Sequence, residues 1–249
     1  GGIETGSNVI IGQVAGFTGL GTNRVSIGTS AGNLLQQGYS IAVGYQAGEY
    51  SQGADINGTS TYGRTIAIGT SAGYEYQMSN AIAIGHEAGK SNQFSDTIAI
   101  GRKAGAVSQS ERGVAMGKQA GENSQYRDAI AIGTSAGYGG QNAASIAIGS
   151  GAGKNGQYAN TIVLFANSLT TSTLDAGIED AFFVKPIRET ASTNALSYNT
   201  TTGEITYREF PSGGGTGTLQ QVLDTGNTST TIAEFNSTSG VGLYTLGGI

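Results

Sequence analysis

The sequence predicts an all-β chain: a parallel β-solenoid of 16-residue coils, followed by a small β module and an extended tail. Three observations carry this. A signature, Ile-Ala-Ile-Gly, recurs at a step of 16 residues. Glycine supplies 43 of 249 residues and proline only 2. Charged residues make up just 12% of the chain, while Ile, Val and Thr are frequent. That is the composition of ordered, turn-rich β structure; a disordered chain carries more net charge, and collagen needs proline and a strict Gly-X-Y period.

The repeat is defined by its first glycine, which falls at Gly12, Gly28, Gly44, Gly69, Gly85, Gly101, Gly117, Gly133 and Gly149. Every step is 16 residues except Gly44 to Gly69, which is 25. Three positions on, the residue is Ala in all nine copies (Ala15 through Ala104 to Ala152), and the next is Gly. Eight positions on, eight copies carry Gln: Gln36, Gln52, Gln77, Gln93, Gln109, Gln125, Gln141 and Gln157, with Leu20 the exception.

A period of 16 is too short for a strand-helix-strand unit of about 30 residues. It suits one solenoid coil with two short strands and two turns. The two Ile residues flank an Ala, so they share one face, expected to be the coil interior. The paired glycines are read as tight corners. Asn or Asp before the strand (Asn23, Asn80, Asp96, Asp128, Asn160) is turn chemistry. Parallel stacking at about 4.8 Å per coil gives a stack of roughly 45 Å. Such coils bury little apolar volume alone, so side-by-side packing of copies is expected, with the Ala column as a candidate seam.

A degenerate tenth copy, Thr161-Ile162-Val163-Leu164, carries Phe165 in place of the glycine and is read as the end of the stack. The roll is thus assigned to residues 1–168, with an insertion near 53–61. Residues 169–211 are read as a small β-hairpin module: a Thr/Ser-rich connector, a strand at 181–187, and a hairpin of 195–199 with 204–209 around Thr200–Gly203. Residues 212–217 form a Gly-rich linker and 218–249 an extended tail.

The Ile-Ala-Ile-Gly-x-x-Ala-Gly coils resemble the head repeats of trimeric autotransporter adhesins, the YadA-like heads, over residues 8–168. The resemblance implies a left-handed parallel β-roll and a homotrimer. No heptad stalk or anchor barrel is read in this chain. Phe182–Arg188, Leu196–Tyr207 and Thr218–Asp224 are similar to modules that follow such coils in fibre and virion-surface proteins of large DNA viruses and tailed phages. Together these imply a non-enzymatic virion structural protein: a trimeric fibre, spike or capsid-associated component at the virion surface. Its expected partners are itself, neighbouring virion proteins and a host surface receptor or glycan. A bacterial adhesin head at the cell surface is the second reading, and a solenoid enzyme acting on glycans the third.

The totals narrow the chemistry. A formal charge of −5 offers no basic stripe for nucleic acid. The absence of Cys removes disulfides and thiolates. No apolar run approaches the roughly 20 residues that span a bilayer. The chain opens with Gly1-Gly2 rather than Met, as expected of a processed product or a segment of a longer polypeptide. No cofactor and no metal are expected. His86 is the only histidine and stands where other coils carry Thr, Tyr, Arg, Lys or Ser. Gly85–Ser91 imitates a phosphate loop but has three residues between its glycines where four are needed.

Two features remain as candidates. The Gln column (Gln77, Gln93, Gln109, Gln125) is expected to form an amide ladder or a polar corner on a symmetry axis, with contact to glycan hydroxyls as a minor third option. The insertion, with Asp55 and Asn57, must bulge from the stack, and Tyr50, Tyr62, Tyr74 and Tyr76 around it are candidates for a surface contact patch.

Overall fold

The computed structural model describes residues 7–18, 21–53, 63–165, 174–185 and 194–209. Asp55, Asn57 and Tyr62 lie outside them, as do the linker and tail. The described residues contain strands and turns and no helix. They fall into two units, Gly1–Ile187 and Arg188–Ile249.

The first unit is a parallel β-solenoid. Its long sheet has 11 strands. Val9–Ile11, Val25–Ile27, Ile41–Val43, Ile66–Ile68 and Ile82–Ile84 lead in order to Ile98–Ile100, Val114–Met116, Ile130–Ile132, Ile146–Ile148, Ile162–Phe165 and Phe182–Lys185. Pairing is parallel and in register: Ile82, Ala83 and Ile84 stand beside Ile98, Ala99 and Ile100. The register holds across the insertion, where Ile41, Ala42 and Val43 meet Ile66, Ala67 and Ile68. A shorter second sheet pairs Glu75–Gln77, Ser91–Gln93, Val107–Gln109 and Asn123–Gln125, and bridges extend it at Gln141 and Gln157.

The interior is the reverse of the sequence expectation. Ala83, Ala99, Ala115 and Ala131 are fully buried, and the larger apolar residues on either side of them are half-buried or exposed. The period-2 alternation is as read, but its sense is flipped, and a shift of one residue moves every side chain to the other face. The cause is the thinness of the coil. Two sheets joined by such short corners leave room for two Ala and one Gln per layer, and two Ile side chains do not fit. The second Ala column, Ala72 through Ala104 to Ala152, is also buried inside the coil. It is therefore no seam between copies.

The corners need more unusual backbone than the glycines alone suggested. In the coil around Gly85, five residues have positive φ: Asn80 (60°), Gly85 (126°), Glu87 (55°), Gly89 (51°) and Asn92 (55°). The non-glycine members accept a left-handed conformation that costs about 1–2 kcal/mol each. It persists because each corner backbone is hydrogen-bonded to the next: Asp96 N donates to Ser79 O at 3.1 Å and Lys103 N to His86 O at 2.9 Å.

The solenoid also runs past residue 168, where the sequence reading drew a boundary. Phe165 is buried in the core cluster, with Leu174 and Phe183 packed against that cluster. Phe182–Lys185 pairs in parallel with Ile162–Phe165. Phe165 thus fills the interior one coil before the end of the sheet and does not end the stack itself. The second unit holds an antiparallel hairpin, Asn194–Tyr198 with Ile205–Glu209, as its alternation predicted. Its turn is set by Asn199, whose Oδ1 accepts from the backbone N–H of Thr201 at 2.9 Å and of Thr202 at 3.2 Å.

Candidate functional surface

The Gln column is a buried amide ladder. Gln77 Nε2 donates to Gln93 Oε1 at 3.1 Å, Gln93 to Gln109 at 3.3 Å, Gln109 to Gln125 at 2.9 Å and Gln125 to Gln141 at 3.1 Å. Each amide also ties the opposite strand: Gln109 Nε2 donates to Ile98 O at 2.9 Å and to Gly113 O at 3.1 Å. The ladder bonds successive coils and closes each coil across its interior. Its burial excludes the alternative of a polar corner on a symmetry axis and removes it from any contact with a ligand.

The glycines divide by role. At Gly85 a Cβ would lie 2.8 Å from Gly101 O, and its φ of 126° is one L side chains rarely adopt. Here the backbones of successive coils approach too closely for any side chain. At Gly89 the φ of 51° is milder, and the Cβ would lie 2.5 Å from Gln93 Oε1. In the coils that carry the Gln, the second glycine makes room for the ladder amide, and the two form one packing unit.

His86 is exposed, with Nδ1 3.8 Å from Glu87. Glu87 belongs to a charged strip in which Lys90 Nζ lies at 2.6 Å and Lys103 Nζ at 3.6 Å. Lys103 also reaches Glu122 at 3.8 Å. The hydrogen bond from Lys90 is the main reason the Glu87 carboxyl is held below its ordinary range. On the opposite corner Arg112 grips Asp128 with Nε at 2.6 Å and Nη2 at 3.0 Å, which lowers the Asp128 carboxyl. These pairs join neighbouring coils at the surface. Among the described residues no three His, Cys, Asp or Glu come together as a metal site would require.

Of the tyrosines beside the insertion, Tyr50 and Tyr74 meet edge to face, with centroids 5.2 Å apart and planes at 82°. Burial, then the neighbouring Tyr50 hydroxyl, pushes the Tyr74 phenol up to about 12. Tyr76 is exposed. The structure thus brings two of the four predicted contact residues together and leaves a third on the surface.

Sequence reasoning missed one surface feature. The outward side of the long sheet presents an apolar residue at two positions of every described strand. Ile68, Met116, Ile132 and Ile148 are 36–40% exposed along one line. The signal was present in the alternation itself but was assigned to the interior. No family model, curated protein or solved structure matches the chain.

Proposed function

We propose that this protein is a non-catalytic structural component of a virion, a trimeric fibre, spike or capsid-associated element that acts through shape and surface contacts. The observation that carries the reading is the aliphatic line on the long sheet. Monomeric proteins rarely leave a contiguous apolar face larger than a few hundred Å², and this one repeats in strand after strand. A second and third copy of the chain, each with the same line, would cover it with closed symmetry. The stacked coils then set length and stiffness, and the amide ladder resists separation of the coils. The resemblance of residues 182–188 and 196–207 to modules of viral fibres favours a virion over a bacterial adhesin head, which the coil motif alone would serve equally well.

Sedimentation of the full chain is expected to give about three times 25.1 kDa; a monomer at all concentrations would overturn the trimer. Immunogold imaging of purified particles is expected to place the protein on the virion surface. Labelling confined to bacterial cell envelopes would move the reading to the adhesin.

A further inference from the structure

A different face carries a second, finer pattern. The residue that follows the ladder Gln opens the turn back to the long sheet. In the last five coils that carry the Gln it is Phe94, Ser110, Tyr126, Asn142 and Tyr158, after Gln37, Gly53 and Met78 in the three before them. Over those five coils aromatic rings stand at every second coil, with a small polar residue between them. Tyr126 is 54% and Tyr158 48% exposed. Two coils advance about 9.6 Å, and the row from Phe94 to Tyr158 spans about 19 Å.

The backbone under this row is fixed. Phe94 N donates to Gln109 O at 2.9 Å, Tyr126 N to Gln141 O at 2.8 Å and Asn142 N to Gln157 O at 2.9 Å. Hydroxyls brace the same turns: Thr97 Oγ1 donates to Phe94 O at 2.7 Å and Thr161 Oγ1 to Tyr158 O at 2.7 Å. The rings thus rise from a rigid rail. Between them lie two open clefts. The first, about 380 Å³, is lined by Phe94, Ser110 and Tyr126. The second, about 430 Å³, is lined by Tyr126, Asn142 and Tyr158. Tyr126 borders both.

We infer that this row binds a linear, unbranched glycan of equatorially linked pyranoses, in the manner of a β-1,4 chain. Such a sugar has apolar C–H faces that stack on aromatic rings and a hydroxyl rim that hydrogen-bonds small polar side chains. Extended β-1,4 chains repeat every two residues, close to the two-coil step of the rings. Charge excludes the polyanionic alternative: Glu111 and Arg127 border the first cleft with opposite signs, and Asp175 borders the second. The alternation of ring and gap also differs from the continuous aliphatic line that a second copy would cover. The inference deepens the surface-attachment part of the proposed function and does not depend on the trimer, because the whole row lies on one chain.

Titration calorimetry of the full chain with cellohexaose, chitohexaose and maltohexaose tests it. At least one β-1,4 hexaose is expected to bind, and the α-linked maltohexaose is not. The matching disaccharide is expected to bind at least tenfold more weakly than the hexaose, because it cannot span the row. Tyr126→Ala is expected to weaken hexaose binding roughly tenfold or more, as for an aromatic anchor at the centre of a contact. Ser110→Trp, which fills the first cleft, is expected to weaken it comparably. Absence of binding to both β-1,4 hexaoses, equal binding of maltohexaose, or unaltered affinity in Tyr126→Ala would overturn the inference. Sedimentation of the same samples separates the two readings: a glycan-binding monomer sinks only the trimer, and a trimer without glycan binding sinks only the groove.

Discussion

The inner and outer lines of the long sheet are equally repetitive, yet they do different work. Ala99 and Ile100 are neighbours in one strand. Ala99 is fully buried in a layer with Ala104 and Gln109, and Ile100 faces outward from the coil. The inner line is constrained by volume and, from Gln52 to Gln157, by amide hydrogen bonds from layer to layer. Among the described residues the outer line stays half-buried or exposed. Repetition therefore records two separate pressures: closure of the coil inside, and contact with something beyond the chain outside.

Substitutions on the two lines should diverge in size and in kind. The largest effect is expected from Gln125→Leu. It removes the side-chain donor to Val114 O, Ala129 O and Gln141 Oε1 and one of the three acceptors of Gln109 Nε2. At about 1 kcal/mol for each of these four bonds lost, the loss should reach roughly 3–5 kcal/mol in urea unfolding. A loss below about 1 kcal/mol would mean that the ladder is decoration and that the contrast drawn between the two lines fails. Ala104→Leu comes next. It adds volume to a filled layer and should cost about 1–3 kcal/mol. An unchanged melting temperature would show that the layer has slack.

Ile100→Ser sharpens the outer side. Within one chain its effect should be under about 1 kcal/mol, as for a half-exposed position. The trimer should instead dissociate at concentrations where the wild type stays associated, as read by sedimentation. Loss of monomer stability comparable to that of Ala104→Leu would place Ile100 functionally inside. The smallest effect belongs to the surface strip. The lowered Glu87 carboxyl contributes stability above its ordinary pKa, and the contribution is lost as pH falls through the lowered value. Lys90→Met should thus reduce stability slightly at neutral pH, by less than about 1 kcal/mol. The difference from wild type should fade on acidification; a difference that grows in acid would reverse the assigned sign.

Much of the architecture was legible because the chain repeats it. The 16-residue step placed the strands of the roll and their in-register parallel pairing, and the alternation around Thr200–Gly203 placed the hairpin. The Gln column was recognised as a candidate ladder, though its burial was not. What escaped was whatever lacks a local signal. Ile flanking Ala looks like a hydrophobic face turned inward until the thickness of the coil is known. The dependence of Gly89 on Gln93 links two residues through side-chain volume, which spacing alone does not express. The aromatic row was missed because its period is two coils and its small members, Ser110 and Asn142, look like noise. The fit of Phe165 into the core, with another strand beyond it, depends on what stacks above it.

The sequence by itself determined the period, the parallel stacking and the columns of identical residues, because equal spacing along the chain forces equal positions in successive layers. Which column lies inside was decided only by the tertiary structure. The distance between the two sheets sets the volume of a layer, and that volume admits alanines and an amide but not two isoleucines.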